Sequence, residues 1–110
     1  MLRLLFPGTP SQEQNWYNPP VQFDWDQTKA SANLSKHGVS FDEARTVFDD
    51  PLYVDFYDPD HSDDERRYVI FGQSERGRLL MVSYTEADDG VRIISSREAT
   101  PAERKEYEED

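Results

Sequence analysis

The chain has 110 residues, which suits one domain with one core. It contains no cysteine, which excludes disulfides and thiol catalysis and fits a reducing cytoplasm. Its formal charge of −11 argues against a general DNA or RNA coat protein, because non-specific binding rests on neutralising phosphates, and it suits a basic partner.

Residues 1–20 carry Pro7, Gly8, Pro10, Pro19 and Pro20 with no sustained period, and read as a flexible arm. Met1 to Phe6 is apolar but stops at Pro7-Gly8, short of the roughly 7–15 residue apolar core of a secretory signal. No stretch approaches the roughly 20 apolar residues of a membrane span. The arm holds one charge of each sign, Arg3 and Glu13, so the whole −11 belongs to residues 21–110, read as a single domain.

Val21 to Trp25 alternates apolar and polar residues, a short strand. Asp26 can cap a helix running to His37, with Ala30, Leu34 and His37 on one face and Gly38 as its left-handed stop. Ser40 and Glu43 have capping-box spacing, with Val39 and Ala44 as a hydrophobic staple. That second helix would bury Phe41, Ala44, Val47 and Phe48 and end at Asp50-Pro51. Strand patterns follow at Leu52–Tyr57, Arg67–Phe71, Leu79–Thr85 and Val91–Ser96, joined by short turns. The pattern predicts an antiparallel meander covered by the two early helices, an α+β architecture in two layers. Thr100-Pro101-Ala102-Glu103 then opens a C-terminal helix with a cap, a first-turn proline and a capping box. Strand alternation would put Val91, Ile93, Ser95 and Arg97 on one side. Arg97 there needs a carboxylate, a phosphate or open water at the sheet rim.

The chain has no Gly-rich phosphate loop, no zinc spacing and no nucleophilic serine motif. His37 lies at a helix C-terminus, where the dipole favours its charged form, and its plainer role is to bond a terminal carbonyl. His61 lies among Asp58, Asp60, Asp63 and Asp64. That turn lacks the spacing of an EF-hand loop and reads as solvated. Arg66, Arg67, Arg76, Arg78, Arg92 and Arg97 are half of the 12 cations, and all fall on the proposed sheet or its turns. Most can be surface charges, yet arginines at the open rim of a sheet can clamp a phosphate. RNA cleavage by the 2′-hydroxyl needs a base, cations for the charge on phosphorus, and an acid for the leaving oxygen. Glu65 or His61 fits the base, and Arg67, Arg92 or Arg97 the clamp. Tyr84 fits an acid or a stacking platform. No metal or cofactor is called for.

Phe23-Asp24-Trp25-Asp26, Lys29, Asn33, Lys36-His37-Gly38-Val39-Ser40-Phe41 and Ala44 resemble the opening of BrnT-type toxins. Asp49-Asp50-Pro51, Asp58-Pro59-Asp60-His61, Glu65, Arg67 and Gly72 continue the likeness. Tyr84-Thr85-Glu86, Arg92-Ile93-Ile94-Ser95-Ser96-Arg97, Ala99-Thr100, Glu103 and Tyr107 complete it, over about residues 22–108. Ser96 stands where alanine is usual, and Glu98 where a cation is usual. The resemblance implies a RelE-like fold and a ribonuclease toxin that stops translation. It implies as partner an antitoxin with a ribbon-helix-helix type DNA-binding region, through which alone the complex would meet operator DNA. The recurrent polar positions of the family fall on Lys36, His37, Glu65, Arg67, Tyr84, Arg92 and Arg97. The expected catalytic set is therefore Glu65, Arg67, Tyr84, Arg92 and Arg97, and the expected RNA-binding set Lys36, His37 and His61. The alternative is a catalytically inactive protein of the same fold that acts only as a co-repressor with an antitoxin.

Overall fold

A computed structural model describes residues 21–109. The arm read from residues 1–20 lies outside them. Strand β1 (Gln22–Asp24) leads into helix α1 (Gln27–His37). The Asp26 side chain accepts from the Lys29 N–H at 2.9 Å, closing the first turn. Gly38 ends the helix at φ +70°, a conformation open to glycine, and its N–H donates to the Leu34 carbonyl at 2.9 Å. The buried face differs from the expected one by about one position. Asn33 is buried, while Leu34 is 51% exposed and His37 is exposed.

The reason lies on the next strand over. Asn33 Nδ2 donates to the Val39 and Ser96 carbonyls at 3.0 and 2.8 Å, and the Ser96 N–H donates to Asn33 Oδ1 at 3.1 Å. One amide thus satisfies backbone groups that have no neighbouring strand, which outweighs burying one leucine.

Helix α2 (Phe41–Arg45) tightens into a 3-10 turn over Thr46–Asp49. Ser40 Oγ accepts from the Glu43 N–H at 3.0 Å, one half of the expected box. The Glu43 carboxylate does not turn back. It is buried and bound to Arg78 and Ser74.

Four further strands follow: β2 (Val54–Tyr57), β3 (Arg67–Gln73), β4 (Leu79–Ala87) and β5 (Gly90–Glu98). They pair in sequence order and antiparallel, the expected meander. The sheet as a whole is mixed, because β1 docks parallel to β5 and the order is β1-β5-β4-β3-β2. Parallel pairing needs a long crossover, here everything between the two strands, and no local pattern encodes it. One residue makes it possible: a Cβ on Gly90 would sit 2.0 Å from the Gln22 carbonyl oxygen.

A second correction concerns β5. Tyr84 pairs with Ile93 but Ser83 pairs with Ser95, so Ile94 is an extra residue and the alternation flips there. Ile93 and Ser96 are both buried, and Arg97 faces the other side from Ile93. The helix-covered face carries the core, where Phe41, Ala44 and Val47 meet Ile70, Leu80, Val82, Tyr84 and Ile93. Burying each large apolar side chain contributes about 1.5–3 kcal/mol.

Helix α3 (Pro101–Glu109) lies against one end of the opposite face, with Tyr107 stacked on Phe71. Its capping box is reciprocal: the Thr100 N–H donates to Glu103 Oε1 at 2.9 Å and the Glu103 N–H to Thr100 Oγ1 at 3.1 Å. Thr100→Ala should cost about 1 kcal/mol, read as a lowered urea midpoint with unchanged slope. Among the described residues no helix is long and apolar enough to cross a membrane.

Candidate functional site

Cross-strand register assembles a row on the face away from α1 and α2. Arg67 pairs with Thr85, Thr85 with Arg92, and Arg92 with Asp24. Residues paired across a sheet share a face, so the two arginines stand about 10 Å apart, two strand spacings. Thr85 between them is buried, and its hydroxyl donates to the Arg66 carbonyl at 2.7 Å. Arg92 is ion-paired with Asp24.

Beside Arg67 lies an open hollow of about 450 Å³, lined by Asp60, His61, Asp63, Asp64, Glu65 and Arg67. The loop is tied down locally. His61 Nδ1 bonds Asp58 at 2.9 Å, Ser62 Oγ donates to the Asp58 carbonyl, and the Arg67 N–H donates to Ser62 Oγ at 3.0 Å. Glu65 Oε1 is 3.5 Å from Arg67 Nε, outside hydrogen-bond geometry. That Nε is buried and has no hydrogen-bond acceptor, an unspent donor beside a carboxylate. Among the described residues, no three metal-ligating side chains converge closely enough to hold an ion.

The other expected residues fall elsewhere. Tyr84 is on the helix-covered face, 7% exposed, packed on Phe48 and Tyr68, with its hydroxyl 3.1 Å from Asp55 Oδ2. Burial, and then the Asp55 hydrogen bond, hold its phenol well above the usual range. It is not brought together with Arg67 and Arg92. Arg97 is four positions along β4 from that row, about 13 Å away. It forks onto Glu103 at 2.8 and 2.9 Å and touches Met81 Sδ. Lys36 and His37 lie with Lys29 and Asn33 around a second hollow of about 220 Å³, against Ile94 and Ser95 on the β5 edge. Three groupings therefore emerge: Glu65, Arg67 and His61 with Arg92 nearby; Lys36 with His37; and Arg97 with Glu103.

A family model for the ribonuclease toxin BrnT of type II toxin–antitoxin systems matches residues 25–103. The chain belongs to the BrnT family. The crystal structure of the Brucella abortus ribonuclease toxin BrnT superposes with a TM-score of 0.55 at 20% identity, covering 74% of this chain and 99% of that one. The two share a fold. No curated protein matches in sequence. The BrnT match runs from Trp25 after β1 into the first turn of α3, so it takes in the Arg67–Arg92 row, the Lys36–His37 corner and the Arg97–Glu103 pair.

Asp24, Thr85 and Asn33 all stand in the stretches that carry the BrnT resemblance, but none was assigned a task there. Asp24 as the counter-ion of Arg92 and Thr85 as the spacer of the row follow only from register. The task of Asn33, fixing α1 against β5 and with it the place of His37, follows only from the fold.

Glu103 gives a pH-dependent expectation. The Arg97 fork, opposed by burial and helped by the Thr100 N–H, lowers its pKa to about 2. The folded pKa lies below the unfolded value, so the stabilisation is present above about pH 4.5 and is lost as pH falls through about 2. Partial exposure limits it to about 1–2 kcal/mol. Glu103→Gln should flatten the stability–pH curve over that window, measured by urea unfolding. A variant retaining the parental slope would place the titration elsewhere.

Proposed function

We propose that the chain cleaves RNA without a metal, by attack of the 2′-hydroxyl on the adjacent phosphorus, at the Arg67–Arg92 end of the sheet. The observation that carries this is the buried, unbonded Arg67 Nε, 3.5 Å from Glu65 and in one row with Arg92. Glu65 takes the proton of the 2′-hydroxyl. Arg67 and Arg92 stabilise the charge on phosphorus. His61, held at Nδ1 by Asp58, delivers a proton to the leaving 5′-oxygen, so the products are a 2′,3′-cyclic phosphate and a 5′-hydroxyl. Lys36 and His37 hold the RNA backbone at the β5 edge. Arg97 supports this surface through Glu103 and stays out of the chemistry.

In this reading the toxin has a RelE-like fold and works in the cytoplasm. It is neutralised by an antitoxin with a ribbon-helix-helix type DNA-binding region, and reaches operator DNA only in complex with it. The test is induction of the chain alone in a bacterial host, with growth and RNA integrity followed. Growth should stop and RNA fragment, and co-expression of the antitoxin should reverse both. Cleavage by purified protein should persist in excess chelator; its loss would remove the metal-independent route.

A second reading has its own support. Arg92 and Arg97 are already paired, with Asp24 and Glu103, as in a protein that binds an antitoxin and does not cut. Normal growth on induction, with operator repression by the complex intact, would favour it.

A further inference from the structure

We infer that the free edge of β2 is a docking site for an extended, basic segment of the antitoxin, added to the sheet as a sixth strand. This rests on the partner reading above and names the surface it uses. Strand β2 pairs only with β3 among the described residues, so one side of its backbone is unmatched. The Asp58 N–H donates to the Arg67 carbonyl at 2.8 Å. By alternation, Val54 and Phe56 also turn their backbone groups towards β3, while Asp55 and Tyr57 present theirs outward.

Edge strands in soluble proteins are usually blunted by lysines, prolines or bulges. This one is not. Leu52, Tyr53, Val54, Phe56 and Tyr57 are each at least 46% exposed, on both faces of the strand. Contiguous exposed apolar residues beside unpaired backbone are the recognition surface of strand addition.

Charge selects the occupant. Asp55 lies within the strand, one of its oxygens accepting from Tyr84, and the loop that follows carries Asp60, Asp63 and Asp64, which line the hollow beside Arg67 and make no ion pair among the described residues. A second copy of the chain would set these carboxylates against themselves. A strand alternating apolar residues with lysine or arginine would match both the exposed apolar side chains and the carboxylates, and would associate faster at low salt.

The test is amide hydrogen exchange by NMR on the full chain, with an eight-residue peptide alternating valine and lysine and with its valine–glutamate counterpart. The valine–lysine peptide should slow exchange at Asp55 and Tyr57 by at least tenfold, and the acidic peptide should not. Tyr57→Pro removes an outward N–H and keeps the backbone bonds to β3, at the loss of the ring contact with Tyr68, and should abolish the protection at Asp55 while RNA cleavage by the folded protein stays at the parent level. Val54→Lys, a surface change that keeps the backbone, should weaken binding by charge alone. Equal protection by both peptides, or none by either, overturns the inference. So does protection without peptide that rises with protein concentration, which assigns the edge to a second copy. Protection without peptide at all concentrations assigns it to residues 1–20 and overturns the inference too. The antitoxin reading is separable: antitoxin bound with Asp55 and Tyr57 still exchanging freely leaves that reading standing and removes this surface.

Discussion

Arg67→Ala should lower RNA cleavage by about 10²–10³-fold while the melting temperature stays close to the parent's. The size follows from removing one preorganised donor from charge developing on phosphorus, which costs on the order of 2.7–4 kcal/mol in the transition state. The small stability effect follows from the side chain's surroundings. Arg67 is about one-third exposed, its nearest carboxylate is the exposed Glu65 at 3.5 Å, and its Nε has no acceptor to lose. Ion pairs of that kind contribute about 0–1 kcal/mol. Arg67→Lys should recover cleavage only in part, because an ammonium cannot present the two-pronged fork. Arg97→Ala is the informative contrast. Its fork to Glu103 closes the first turn of α3, so its loss should appear chiefly as lowered stability. Melting temperature and cleavage measured on the same preparations separate the two. A folded Arg67→Ala protein that cuts at the parent rate removes Arg67 from the mechanism.

What the sequence made legible was local. The stops and starts at Asp26, Gly38, Ser40 and Thr100 are set by residues within one helical turn, and each appears in the structure. The neighbourhood of Glu65 and Arg67 was legible for the same reason, being two residues apart. What stayed hidden depended on pairing across the chain. The extra residue at Ile94 moved Arg97 to the other face, and a bulge leaves no mark in a run of β-branched residues. Tyr84 and Thr85 are neighbours in sequence, yet strand alternation sends one into the core and the other into the arginine row. The parallel docking of β1 against β5 likewise has no short-range signature. Glu43 shows the conflict most sharply: its spacing to Ser40 is that of a capping residue, and a partner 35 positions later takes its carboxylate.

That partner sets the largest stability effect. Arg78→Ala should cost about 3–5 kcal/mol, because it leaves a carboxylate that is 4% exposed without its main counter-charge. In the parent, Glu43 accepts Arg78 Nη2 at 2.5 Å and Nε at 2.9 Å, and Ser74 Oγ at 2.7 Å. Arg78 also donates to the Gly38 carbonyl at 3.0 Å, fastening the end of α1, so the loss reaches the Lys36–His37 corner. After its removal only Ser74 and the exposed Arg76, 3.6 Å away, remain near Glu43. For a domain of this size the melting temperature should fall by about 15 °C. The pH dependence has a definite sign. Arg78, with Ser74, holds the Glu43 carboxyl below the usual carboxylate range against the opposing effect of burial. The stabilisation is therefore full above that range and is lost as pH falls through the lower folded value. Arg78→Ala should lose that acid-side slope along with the stability. The exposed pair of Arg104 with Glu108 at 3.4 Å provides the control, and Arg104→Ala should stay within about 0.5 kcal/mol. Replacing both partners, Glu43→Met with Arg78→Leu, should recover much of the loss, since no uncompensated charge then remains buried. A double variant as unstable as Arg78→Ala alone would show that the bond to Gly38, and not the buried charge, carries the effect.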